Sequence, residues 1–164
     1  MIERLEWFNG LSAAEAQAEL YGCFANRRWA ASVAAGRPYL DLNAVLIAAQ
    51  TAWDDLAPAE WLEAFAAHPR IGEHGGHEPA RSESEQSRVM QASDATLEAL
   101  AAENRLYEDR FGYVFLMAAA GKSADEILEA LRVRMNNDPK AELDVAVYQQ
   151  SKITRLRLEK LFGV

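Results

Sequence analysis

Cysteine is nearly missing from this chain. Cys23 stands alone among 164 residues, so an internal disulfide is impossible and a reducing, cytoplasmic setting is expected. Positive charge is also scarce: 17 Lys and Arg face 25 Asp and Glu, a formal charge of −8. That deficit argues against a nucleic-acid partner, whose phosphates need a basic footprint, and against anionic membrane surfaces. No run approaches the roughly 18 consecutive apolar residues of a membrane span. The opening MIERLEWFNG has acidic residues and no apolar core, so a secretory leader is not expected. β-Branched residues are few as well. Val, Ile and Thr total 16 against 31 Ala, a ratio that favours helix over sheet.

What is present is helix punctuation. Ser12 and Glu15 have the spacing of a capping box. A second helix is expected through Arg27, Trp29 and Val33, stopping at Gly36 before Pro38. Asp41 caps a third, whose Leu42, Val45, Leu46, Ala49 and Trp53 share one face. Pro58 suits a first helical position, with Trp61, Leu62 and Phe65 as the buried side. The pattern breaks at His68-Pro69, and helical signals resume at Ser82. Further helices follow Ser93, Ser123 and Asp138, the last with Pro139 at its first position. Its Leu143, Ala146, Val147, Ile153 and Leu156 are expected inside, and Arg155, Arg157 and Lys160 complement its dipole. The apolar run 111–120 reads as a buried helix or an irregular core segment, since a lone strand has no partner. The expectation is one all-α domain over 1–164, with about six to eight helices.

All three histidines, His68, His74 and His77, fall in the irregular stretch beside Glu73 and Glu78. A metal site is one reading, but a Gly-Gly loop lacks the rigidity of helix-borne ligands, and solvated loop histidines are the expectation for His74 and His77. His68 sits between an apolar helix and a proline. It is placed either to cap carbonyls or to move a proton near neutral pH. Ser82 to Gln86 (SESEQ) opens either an ordinary capped helix or an anion site at a helix N-terminus. Cys23 has no cationic neighbour before Arg27 and reads as an inert thiol.

Four motifs in order narrow these alternatives: HPRIG at 68–72, SESEQ at 82–86, FGYVFLMAAAGKSADEIL at 111–128 and the ending KITRLRLEKLF. Together they resemble the 2-oxo-4-hydroxy-4-carboxy-5-ureidoimidazoline (OHCU) decarboxylases of uric acid degradation, over nearly the whole chain. The resemblance implies an all-helical, cofactor-free, metal-free and usually homodimeric enzyme that converts OHCU to (S)-allantoin and carbon dioxide. It puts the catalytic histidine at His68, with Pro69 a substrate contact. The S-x-x-E-Q motif falls on Ser82, Glu85 and Gln86, with Glu83 and Ser84 between them. A backbone-contacting stretch covers Phe115, Leu116, Met117, Ala118 and Ala119. Some members carry an arginine just after that stretch, where this chain has Ala120, with Lys122 two residues later.

On this reading His68 is the general acid/base and Glu85 holds the imidazole or the ureido group, so both are expected to be catalytic. Ser82, Gln86 and backbone N–H groups fix the ring. An anionic substrate gains nothing from the field of a net-negative protein, so local donors must attract it, a helix N-terminus at Ser82 among them. An inactive helical module that binds purine catabolites is the alternative.

Overall fold

The computed structural model describes residues 2–73 and 79–164. Among them are nine α-helices, one 3-10 turn (Val89–Gln91) and no strand. The all-α class is as expected. The helices outnumber the six to eight anticipated because the opening segment, given no helix from sequence, forms α1 (Ile2–Gly10). The others are α2 (Ala13–Cys23), α3 (Arg27–Ala35), α4 (Leu42–Asp54), α5 (Pro58–Phe65), α6 (Pro79–Glu85), α7 (Asp94–Phe111), α8 (Ala124–Arg134) and α9 (Pro139–Leu161). The chain divides into two units, one of residues 1–64 and 152–164, the other of residues 65–151.

Local chemistry explains most boundaries. Ser12 and Glu15 form the reciprocal capping box. Asn26, Asp41, Ser93 and Ser123 each accept a backbone N–H from the first turn of α3, α4, α7 and α8. Asp138 Oδ1 does the same for Lys140 and Ala141 at the start of α9.

In the first unit α3 packs on both α2 and α4. Aromatic rings fill the core: Phe24 lies 4.5 Å from Trp53 and 5.3 Å from Trp29, and Trp53 lies 4.0 Å from Trp61. The one polar atom of the Trp29 ring, Nε1, donates to Ala49 O at 3.0 Å, so a large apolar group is buried without an orphaned donor. Phe8 and Phe162 meet edge to face at 5.2 Å. Two side chains depart from expectation. Leu62 is 43% exposed and Leu156 is 40% exposed, each lying off the buried stripe of its helix. Arg157 departs in the other sense. It is buried, so it is not a solvated partner of the helix dipole, whereas Arg155 pairs at the surface with Glu159.

In the second unit α7 packs on α8. Its core gathers Ile71, Val89, Leu100, Tyr107, Phe115, Ala119, Ile127 and Leu131. α7 stops at Gly112, which takes φ +83° and donates to Glu108 O. A side chain at that φ is strained. The chain then runs non-helically through 113–119, the irregular core segment that the apolar run allowed.

Candidate active site

Three short segments carrying the predicted residues converge within the second unit. The first is the turn after α5. That helix ends at Phe65, three residues earlier than the apolar pattern suggests, and His68 N–H closes a turn onto Phe65 O. His68 and Pro69 are half-buried. The His68 ring lies on α9: its Nε2 is 2.6 Å from Oε1 of Gln150, a fully buried amide. Arg70 anchors the next residues, with Nε and Nη2 on the two carboxylate oxygens of Glu108 in α7 at 2.6 and 3.0 Å. Ile71 then enters the core and its carbonyl accepts from Asn104 Nδ2.

The second segment is the end of α6. Gln86 is buried, and its Oε1 accepts the Gly72 N–H at 2.7 Å. Gly72 takes φ +92°, and a Cβ there would stand 3.3 Å from Leu100 Cδ2. Both the backbone angle and the space therefore call for glycine. Ser82 is buried, Glu85 half-buried, and Glu83 and Ser84 exposed. One expectation fails here. Pro79 occupies the first position of α6, where its fixed φ and missing N–H suit a helix start. Ser82 and Glu85 therefore lie inside the helix. Their spacing is not a capping box, and the helix N-terminus at Ser82 does not exist.

The third segment is 115–119. Phe115, Leu116, Ala118 and Ala119 are buried, and Met117 is half-buried. A backbone that forms neither helix nor sheet must find other hydrogen-bond partners, and here side chains supply them. Gln149 Oε1 accepts the Ala118 N–H at 3.0 Å. Arg134 Nη1 donates to Leu116 O at 2.6 Å, and its guanidinium lies 4.3 Å from the Phe115 ring centroid. Arg134 is held in turn by Glu142, 2.8 Å from its Nε. Glu142, fully buried, also accepts from the Tyr107 hydroxyl and from Asn137 Nδ2. Burial, reinforced by the Glu142 bond, pushes the Tyr107 phenol far above its ordinary range, so it stays a donor.

The neighbouring residues Gln149 and Gln150 tie this segment to His68, and Ile71, Val89, Phe115 and Ala119 share one core cluster. The arrangement offers one histidine ring held from behind, buried amide and hydroxyl groups, and a stretch of anchored backbone. Such a set suits orienting a small polar ring and moving a proton. Among the described residues no group of three or more His, Cys, Asp and Glu is arranged for a metal ion. His74, His77 and Glu78 lie outside those residues.

A family model described as OHCU decarboxylase matches residues 9–159. The chain belongs to the OHCU decarboxylase family. It is 36% identical over 147 residues to the uric acid degradation bifunctional protein TTL of Arabidopsis thaliana, covering 86% of this chain and 45% of that protein. With the uric acid degradation bifunctional protein of Bacillus sp. it shares 29% identity, covering 97% of this chain and 32% of that protein. It therefore spans less than half of each of these two relatives. A relative from Haloferax volcanii, named as a 2-oxo-4-hydroxy-4-carboxy-5-ureidoimidazoline decarboxylase, is 29% identical with 82% of both chains covered. A crystal structure of an OHCU decarboxylase in the presence of (S)-allantoin matches with a TM-score of 0.79 and 34% identity, covering 89% of this chain and 98% of that one.

In this member of the OHCU decarboxylase family, the residues that hold the predicted site residues in place were not legible in the sequence. Gln149, Gln150, Arg134, Glu142 and Tyr107 all hold a predicted residue or one of its anchors, and none was expected at the site, Tyr107 being placed only on the buried side of its helix. One signal was available. Glu142, Ala146, Gln150 and Ile153 recur at 4- and 3-residue spacing on the core-facing stripe of α9, and all are buried. A carboxylate and an amide on a buried stripe ask for partners.

Proposed function

We propose that the chain catalyses the cofactor-independent decarboxylation of OHCU to (S)-allantoin and carbon dioxide in uric acid degradation. The observation that carries this reading is the match, at 34% identity and over 89% of the chain, to an OHCU decarboxylase solved in the presence of (S)-allantoin. The geometry around His68 supports it. When the carboxylate leaves as carbon dioxide, its bonding electrons pass into the adjacent ring C=N, whose nitrogen takes up a proton. The substrate hydroxyl then gives up its proton to become a carbonyl, and the neighbouring ring carbon takes one proton on one face. The sink lies in the substrate, so the protein must orient, stabilise and protonate.

His68 is the acid/base for those proton transfers. Glu85 and Ser82 act from α6, and the amide NH2 of Gln86 is its donor end. Glu83 and Ser84, both exposed, contribute through the backbone of the same turn. Pro69 and the 115–119 backbone complete the contacts. The loss of a helix N-terminus at Ser82 shifts the burden of binding an anion to these groups. The family match over 9–159, which crosses the boundary between the two units, supports a single functional domain. The family resemblance supports a homodimer, and the lone buried thiol of Cys23 supports a cytoplasmic location.

The test is to generate OHCU in situ from urate and follow allantoin by circular dichroism. Wild type yields (S)-allantoin, and His68→Asn loses about 100-fold or more in kcat. Thermal stabilisation by the ligand without turnover would instead identify a binding module.

A further inference from the structure

We propose that Gln150 is the positioning residue of His68. Its carbonyl oxygen fixes the neutral ring as the Nε2–H tautomer, so that the proton exchanged with substrate is carried on Nδ1. The role in catalysis rests on the reading of His68 given above; the hold on the ring does not.

Three observations carry the inference. The atom facing His68 Nε2 at 2.6 Å is an oxygen, and an amide oxygen can only accept, so the nitrogen opposite it must carry the hydrogen. Gln150 is fully buried on α9, a helix of 23 residues, whereas His68 is half-buried in a turn. The fully buried helical partner therefore sets the orientation of the half-buried ring. The adjacent Gln149 accepts the Ala118 N–H at 3.0 Å, so one helical turn aligns both the proton carrier and the backbone proposed to bind the substrate. Stereospecific protonation needs this kind of control, because a ring that rotates or changes tautomer presents its proton at the wrong place. A carbonyl oxygen behind an imidazole is a common way to decide which nitrogen holds the proton.

The decisive measurement is the ring 15N spectrum of labelled protein without substrate, with His68→Asn assigning the His68 signals. The expected result is Nε2–H in wild type. Gln150→Leu, similar in size but without an acceptor, loses the tautomer preference. Its kcat falls about tenfold or more while KM stays within about twofold. Gln150→Glu keeps an acceptor, keeps Nε2–H and restores most of kcat, which a merely structural role for the amide would not predict. An Nδ1–H ring in wild type overturns the proposal even if no variant folds, and so does wild-type kcat in Gln150→Leu. A wild-type protein with the Nε2–H ring but no allantoin from OHCU overturns the functional reading and the catalytic role of Gln150 with it.

Discussion

The two units bury different things. The first unit is filled by Phe24, Trp29, Trp53, Trp61, Phe8 and Phe162, and its buried polar side chains are Asn26, Thr154 and Arg157. The second unit encloses Ser82, Gln86, Asn104, Arg134, Glu142 and Gln150. The contrast follows from the backbone. Helices satisfy their own N–H and C=O groups, so a unit of helices can be dry inside. The second unit carries the non-helical stretches 66–73 and 112–123, and their backbone groups draw amides and a guanidinium into the core. In the second unit, buried polar groups mark the places where the chain is held in a shape that a helix could not give.

Equal damage to the two cores should therefore have unequal consequences. Trp53→Ala removes a ring from the first unit and is expected to cost about 3–5 kcal/mol. Glu142→Gln removes the partner of a buried guanidinium and is expected to cost a similar 3–5 kcal/mol or so. Urea denaturation measures both. Only Glu142→Gln should also depress the kcat/KM of allantoin formation, because it releases the anchor on Leu116 O. If the folded fraction of each variant shows the same kcat/KM, the distinction between the cores collapses.

Gly72→Ala tests the backbone directly. At φ +92° with Leu100 Cδ2 3.3 Å from the new Cβ, it should lose about 1–2 kcal/mol and weaken activity by pulling Gly72 N–H off Gln86. Stability equal to wild type would show that this turn is not under the constraint described. A smaller effect is expected from Gln149→Ala. It releases the Ala118 N–H and loosens the 115–119 backbone, so KM should rise by about two- to tenfold. An unchanged KM would show that the segment keeps its shape without Gln149.

The smallest effect lies in the first unit, at the surface. Arg28 bonds both Glu60 oxygens and Asp55, and its guanidinium holds the Glu60 carboxyl down from 4.5 to about 2. A depressed carboxyl contributes stability above its unfolded pKa, and the contribution fades as pH falls from about 4.5 through about 2. The Tm gap between wild type and Glu60→Gln should be open at pH 6 and closed near pH 2. A constant gap would mean that the pair is not linked to folding. The allantoin-forming activity should not respond to this change at all.

Legibility in the sequence divided along similar lines. Caps at Ser12, Asp41, Ser93, Ser123 and Asp138 act within three residues, so their chemistry is contained in the local sequence. Ser82 imitated such a cap, but the proline three positions earlier set the true helix start. The motifs brought out His68, Gln86 and the 115–119 stretch. They could not show that Gln150, 82 residues from His68, stands behind its ring, because no local rule joins a turn to a distant helix. Arg157 was misjudged for the same reason: its place near a helix end favoured solvent, and tertiary packing overrode that preference.

The anchoring of 115–119 has a consequence for how this segment can change over generations. Its carbonyl at Leu116 and its N–H at Ala118 are held by residues 18 and 31 positions downstream. Letters inside the segment can drift among apolar residues while its shape is inherited through Arg134 and Gln149. A lineage that altered those two would reshape the segment without touching the segment itself.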